Sequence, residues 1–344
     1  MKKIFFAILV AIAAVSCSTS SNDVEDSPML VIMETDLGND VDDAIAMDLL
    51  YKYMDAGKIN LLMVGVNKDG TAPIEYVDVL NTWYGYPDIP VGTIHNGIDC
   101  ANDSVNYAEA VDNMKAEDGT ALFKRSHQDY ESYPESHILY RKVLAEQPDN
   151  SVTIASVGFS TNLVRLLETG ADEFSPLTGK ELVSKKVKLL VMMAGSFIGE
   201  NVPEYNVWKD VPSARKIFEE WPSPVVASPF DVGIKVLYPA TSIENDFIWA
   251  EHHPVVEAYK AYLPMPYDRP TWDPTAVLYA VEGDGWFTVS PAGDVTVTDD
   301  GRTIFTENEC GTRRFLSLTD EQADAIREHF VKMMTSVPES QVRK

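Results

Sequence analysis

Four aspartates, Asp36, Asp40, Asp42 and Asp43, fall within eight consecutive positions of the segment Glu34-Thr35-Asp36-Leu37-Gly38-Asn39-Asp40-Val41-Asp42-Asp43-Ala44. Carboxylates this close repel one another, and each resists ionisation unless a cation neutralises the group. Oxygen donors alone suit a hard ion, Ca²⁺ or Mg²⁺. Acidic residues also favour helix starts, but one or two satisfy the helix dipole. An EF-hand is excluded: counted from Asp36, its sixth and twelfth positions hold Val41 and Met47 instead of Gly and Glu. A DxD phosphatase pair is out of register, because Glu34 occupies the first place. There is no CxxC and no Cys/His cluster, so zinc does not fit.

The surrounding elements must hold this loop. Residues 30–33 read as a short buried strand, and residues 44–53 carry helical spacing with Gly57 as a stop. The loop therefore lies at the carboxyl end of a strand, where open α/β sheets bind ligands. Further apolar strands are expected at 61–66, 152–157 and 188–193 and from Val225. Helices are expected from Thr161 and behind Asp210-Val211-Pro212, which supplies an N-cap and an early proline. This order predicts an α/β fold with a mostly parallel sheet flanked by helices on both faces. Residues 286–289 and 295–298 alternate around Gly and Asp, which predicts a small β-rich C-terminal appendage; a last helix covers 319–334. A single domain over residues 29–340 accommodates all of it.

The carboxylate loop resembles the signature of the inosine-uridine nucleoside hydrolase family, with two additional residues and with Glu34 where the family usually has Asp. Other segments match in the family's order. They are Val64-Gly65-Val66-Asn67, Ser156-Val157-Gly158-Phe159-Ser160-Thr161-Asn162, Met193-Ala194-Gly195-Ser196, Glu204-Tyr205-Asn206 and Trp272-Asp273-Pro274-Thr275-Ala276-Val277. The resemblance implies a Rossmann-like nucleoside hydrolase fold and hydrolysis of an N-glycosidic ribosyl bond. It implies Ca²⁺ held by Asp36, Asp43, Asp273 and the Val157 carbonyl. Asp36 would be the general base, and Asp42 would either support the ion's ligands or hydrogen-bond the attacking water. Asn67, Asn201, Glu204 and Asn206 would bind the sugar. Asp40 has no family counterpart and is left as ligand or bystander. Trp272 stands where many relatives have a His that protonates the leaving base, and a purine-preferring branch also carries Trp there. Purine ribosides are therefore the expected substrates. The alternatives are a lipid-anchored module that binds a riboside or glycan without turnover, and a hydrolase of another glycosylated substrate.

Composition narrows the partners. With 28 basic against 53 acidic residues the net charge is −25, which opposes nucleic-acid binding. Lys2 and Lys3 precede an apolar stretch from Ile4 to Val15, too short to span a bilayer, and Ala14-Val15-Ser16-Cys17 follows. This resembles a bacterial lipoprotein signal. It implies lipidation of Cys17, a tether over residues 18–28, and a place on the periplasmic or cell-surface face of the outer membrane. Membrane contact is expected through the lipid alone, and self-association is left open. Trp208 and Trp221 read as packing residues, and His252-His253 as a surface pair.

Overall fold

Neighbouring residues along the central strands enter two different cores. In β1 (Met29–Thr35), Val31 and Met33 pack into one core and Ile32 into the other. The same alternation separates Val64 from Met63 in β2 (Ile59–Val66), and Ala155 from Ile154 in β4 (Val152–Ser156). It also separates Val191 from Leu190 in β5 (Val187–Met193). Side chains alternate across a strand, so strands apolar on both sides need cover on both faces. The strands supply the apolar runs and the helices supply the cover. β3 (Val91–Gly92) and β6 (Val225–Ser228) complete this part of the sheet. The computed structural model describes residues 27–100, 105–129 and 132–342; the expected signal segment, Cys17 and most of the expected tether lie outside the described residues.

From β3 through β2, β1, β4, β5 and β6 every pairing is parallel, as predicted. The expected β-rich C-terminal part is present, with antiparallel pairing, and it is joined to the central sheet. β9 (Thr288–Val289) and β10 (Gly293–Val297) do not pair with each other; both pair antiparallel with β12 (Arg313–Ser317). β10 also pairs with β11 (Thr303–Glu307), and β12 adds in parallel to β6. The expected appendage is thus an extension of the central sheet. Arg313 gives the reason. Its buried guanidinium donates to the carbonyls of Phe218, Trp221 and Ser223, groups left over where the helix Val211–Glu220 ends. β7 (Leu237–Tyr238) and β8 (Arg269–Pro270) form a separate antiparallel pair.

The helix Asp42–Asp55 is buried along almost its whole length and packs against the largely apolar helix Trp272–Glu282. That contact brings the two ends of the motif set together. The pair His252-His253 is corrected. His253 is buried, ringed by Trp83, Tyr84, Phe247 and Trp249, because its helix, Pro254–Tyr262, turns it inward.

Candidate active site

Parallel strands end together, so the segments after β1, β4, β5 and β6 meet at one edge of the sheet. A cavity of about 390 Å³ opens there. Its floor holds Asp36, Asp42, Asp43, Asp273 and Val157, and its walls include Glu204, Asn206 and Trp272. Eight of the expected catalytic, metal-binding and substrate-binding residues therefore converge on one pocket.

Local geometry explains the convergence. Thr35, the last residue of β1, donates from Oγ1 to Asp43 and accepts the backbone N–H of Leu37 at 3.1 Å, closing the loop on itself. The Asp273 N–H donates to Asp42 Oδ2 at 3.0 Å, so the late helix is docked on the early loop. Gly158 is required by close approach: a Cβ there would lie 2.6 Å from the Asp36 nitrogen and 2.7 Å from its Oδ1. Asp42, Asp43 and Asp273 each present an oxygen within 4.8 Å of the others.

These carboxylates are poorly solvated. Burial pushes the Asp36 carboxyl up to about 6, against the pull of the Asn39 amide and the Lys68 cation. Burial also drives Asp42 well above the usual carboxylate range, with Asp40 adding to it. Asp43 and Asp273 are raised likewise, first by burial and then by the charges of their neighbours. A buried cluster of oxygen donors that cannot all ionise alone fits a divalent hard cation, which supplies the missing counter-charge. Asp42, Asp43 and Asp273 are best placed to hold it; Asp36 and Val157 line the same pocket.

Glu204 caps the one-turn helix Tyr205–Lys209. Its Oε1 accepts the Asn206 N–H at 2.9 Å, and its Oε2 accepts those of Gly195 and Val207 at 3.1 and 3.2 Å. Burial lifts its carboxyl to about 7 against those backbone donors. The Asn206 amide donates to the carbonyls of Val157 (2.9 Å) and Met193 (3.1 Å), tying the ends of β4 and β5 together. Trp272 is fixed from several sides. Its Nε1 donates to the Phe230 carbonyl at 3.1 Å, the two rings stack at 5.6 Å, and a Cβ at Gly233 would lie 2.3 Å from its Cδ1.

Two expected sugar-binding residues lie off the pocket wall. Asn67 is fully buried behind it, donating to Glu34 Oε2 at 3.1 Å and accepting the Phe159 N–H at 3.1 Å. Asn201, in the left-handed region with φ 47°, donates to the Thr303 carbonyl at 2.9 Å. Trp208 is corrected: it is 54% exposed on the pocket rim, because its single-turn helix buries only Asn206 and Val207. Trp221 packs as expected.

Sequence reading missed Lys68, Arg269, Phe230 and Tyr262. Lys68 Nζ donates to Asn39 Oδ1 at 2.6 Å, and Asn39 Nδ2 donates to Asp36 Oδ2 at 3.0 Å, a buried relay from cation to carboxylate. Arg269 pairs with Asp40. The scarcity of basic residues was a usable signal, since a Lys right after Asn67 and an Arg just before Trp272 stand out in so acidic a chain. The two aromatic residues offered no local signal.

Comparison with known proteins agrees with the fold. A plant nucleoside hydrolase is 18% identical, with 92% of this chain and all of that one covered and a TM-score of 0.66. A purine-preferring ribonucleoside hydrolase from Gardnerella vaginalis is 16% identical over 89% of this chain and 98% of that one, also with a TM-score of 0.66. An inosine-uridine preferring nucleoside hydrolase from Bacillus anthracis is 16% identical over 89% and 99%, at 0.64. No curated protein matches the chain. The model of one family, described as inosine-uridine preferring nucleoside hydrolase, matches residues 31–343, nearly the whole chain beyond the N-terminal segment. With the motifs in order and their side chains gathered in one pocket, the chain belongs to the inosine-uridine preferring nucleoside hydrolase family and is an N-glycosyl hydrolase.

Proposed function

We propose that the protein hydrolyses the N-glycosidic bond of purine ribosides in a calcium-dependent reaction, releasing ribose and the free base. The observation that supports this is the convergence of Asp42, Asp43 and Asp273 in a pocket that Asp36, Trp272 and Phe230 also line. Calcium bound by these carboxylates would lower the pKa of a coordinated water. Asp36 would be the acceptor for the proton of such a water: the Asn39 amide holds its carboxylate in place, and Lys68 behind it offsets part of the upward pull of burial. Asp42, fixed by the Asp273 N–H, is the alternate acceptor. Glu204 and Asn206 shape the sugar end of the pocket by joining the loops after β4 and β5. Trp272 and the Phe230 ring stacked with it bring aromatic surface to the pocket for a purine, and such contact favours a ring gaining positive charge as the bond breaks. Charge developing on the ribosyl ring faces a wall of fixed carboxylates, which needs no reorganisation as the bond breaks.

Export as a lipoprotein anchored through Cys17 is part of this reading and rests on the N-terminal sequence alone. The deciding experiment is metal analysis of purified protein together with reducing-sugar release over a panel of nucleosides. Calcium in stoichiometric amount and faster cleavage of inosine or guanosine than of uridine are expected. Absence of divalent metal after incubation with calcium, or no sugar released from any riboside, would reject the reading.

A further inference from the structure

Asp40 has no counterpart in the family pattern, and the loop that carries it is longer than that pattern. In the fold it meets a cation from the far end of the chain. Arg269, on β8, grips it in a fork: Nε donates to Oδ1 at 2.8 Å and Nη2 donates to Oδ2. The same guanidinium carbon lies 5.1 Å from the ring centre of Tyr262 and 5.3 Å from that of Trp272. Asp40, Tyr262 and Trp272 all line the pocket. The ion pair is therefore built into the pocket wall, with side chains only 19% (Arg269) and 29% (Asp40) exposed. A forked, half-buried guanidinium–carboxylate pair holds its geometry far better than a surface ion pair.

We propose that Arg269 is a positioning residue that keeps Asp40 from joining Asp42, Asp43 and Asp273 as a ligand while setting Tyr262 and Trp272 as the pocket wall. The inference rests on the calcium reading of Asp42, Asp43 and Asp273. Asp40 is two residues from Asp42 and belongs to the same loop. Released from Arg269, it would be a further anionic oxygen donor beside the ion. A calcium shell takes six to eight oxygens, so another carboxylate would compete for positions that substrate or water must occupy. Paired, Asp40 has its charge partly offset by the guanidinium and its oxygens already engaged, so the ion keeps an open side. The arginine thus exchanges some calcium affinity for access, and its contacts with the two rings make the substrate wall depend on the same pair.

Calcium titration by calorimetry on chelator-stripped protein tests this, using the wild type, Arg269→Met, Asp40→Asn and the double variant. Arg269→Met should bind calcium about tenfold more tightly and Asp40→Asn about tenfold more weakly, as a unit charge near a divalent ion dictates. In the double variant both charges are gone, and affinity should return to within about threefold of wild type. Arg269→Met should also raise the KM for inosine more than it lowers kcat, because the wall loosens while the carboxylate floor is intact. Arg269→Lys, which keeps the charge but loses the fork, should leave calcium affinity unchanged and still raise KM. If Arg269→Met melts as an unfolded chain, the lysine and Asp40→Asn variants decide. Weaker calcium binding in both single variants, or a double variant as altered as the singles, would overturn the assignment while leaving the calcium site standing. A wild type that binds no calcium would overturn both.

Discussion

The backbone N–H of Asp273 donates to Asp42 Oδ2 at 3.0 Å, joining residues 231 positions apart in the chain. This bond makes the candidate ion site a product of the tertiary fold, since Asp273 brings the third carboxylate to Asp42 and Asp43. Asp273→Asn removes one charge from the cluster and should abolish the rise in melting temperature on adding calcium. Relief of repulsion should leave its melting temperature in chelator at or above that of wild type. Melting curves with calcium and with chelator measure both. A calcium-induced rise as large as that of wild type would remove Asp273 from the site.

Chelated protein should lose stability as the pH rises. The acids in and around the site have folded-state pKa values raised by burial, to about 6 for Asp36 and about 7 for Glu34 and Glu204. An acid raised on folding favours the folded state fully below its unfolded value, and that advantage is lost as the pH climbs through the folded value. For these groups the window runs from about pH 4 to pH 7. Calcium should flatten the dependence by stabilising the ionised cluster. Urea unfolding at pH 5, 6 and 7.5, with and without calcium, reads the difference. A chelated protein that grows more stable across this range would contradict the burial argument.

Asp36→Asn keeps an oxygen in place but removes the proton acceptor. Turnover should fall by about 10²- to 10⁴-fold, the scale for loss of a general base. Calcium binding, followed by calorimetry, should persist. If turnover stays near normal, the role passes to Asp42.

Gly65 and Glu34 should behave as a pair. A Cβ on Gly65 would lie 1.8 Å from Glu34 Oε1, and the Glu34 side chain is held by the amides of Asn67 and Asn162. Gly65→Ala should therefore destabilise the protein by about 1–3 kcal/mol, the usual cost of overpacking. Shortening the partner with Glu34→Asp in the same chain should recover part of that loss, which denaturant midpoints would show. A Gly65→Ala protein as stable as wild type would mean that the Glu34 pocket yields easily.

Trp272→Ala should damage purine cleavage more than pyrimidine cleavage. Stacking on one base is worth about 1–3 kcal/mol, so the difference should be roughly five- to 150-fold in kcat/KM. Steady-state kinetics with inosine and uridine provide the comparison. Equal damage to both would reduce Trp272 to a packing residue.

The chain's own order of residues determined the sheet and the floor of the site. Continuous apolar runs such as Leu61-Leu62-Met63-Val64 have to be buried on both faces, and loops after parallel strands have to gather at one edge. The crowding of Asp36, Asp42 and Asp43 likewise follows from spacing alone. What the tertiary structure alone decided depends on contacts between distant segments. The pairing of β12 with β6 turned the expected appendage into more sheet, because Arg313 is needed where the helix Val211–Glu220 ends. Asn67 was drawn behind the pocket by Glu34, and Asp40 was bound by Arg269 at a separation of 229 residues. Local sequence carries the propensity and chemistry of a side chain. Its partner, and hence its role, is set by which distant segment the packed core brings within hydrogen-bonding reach.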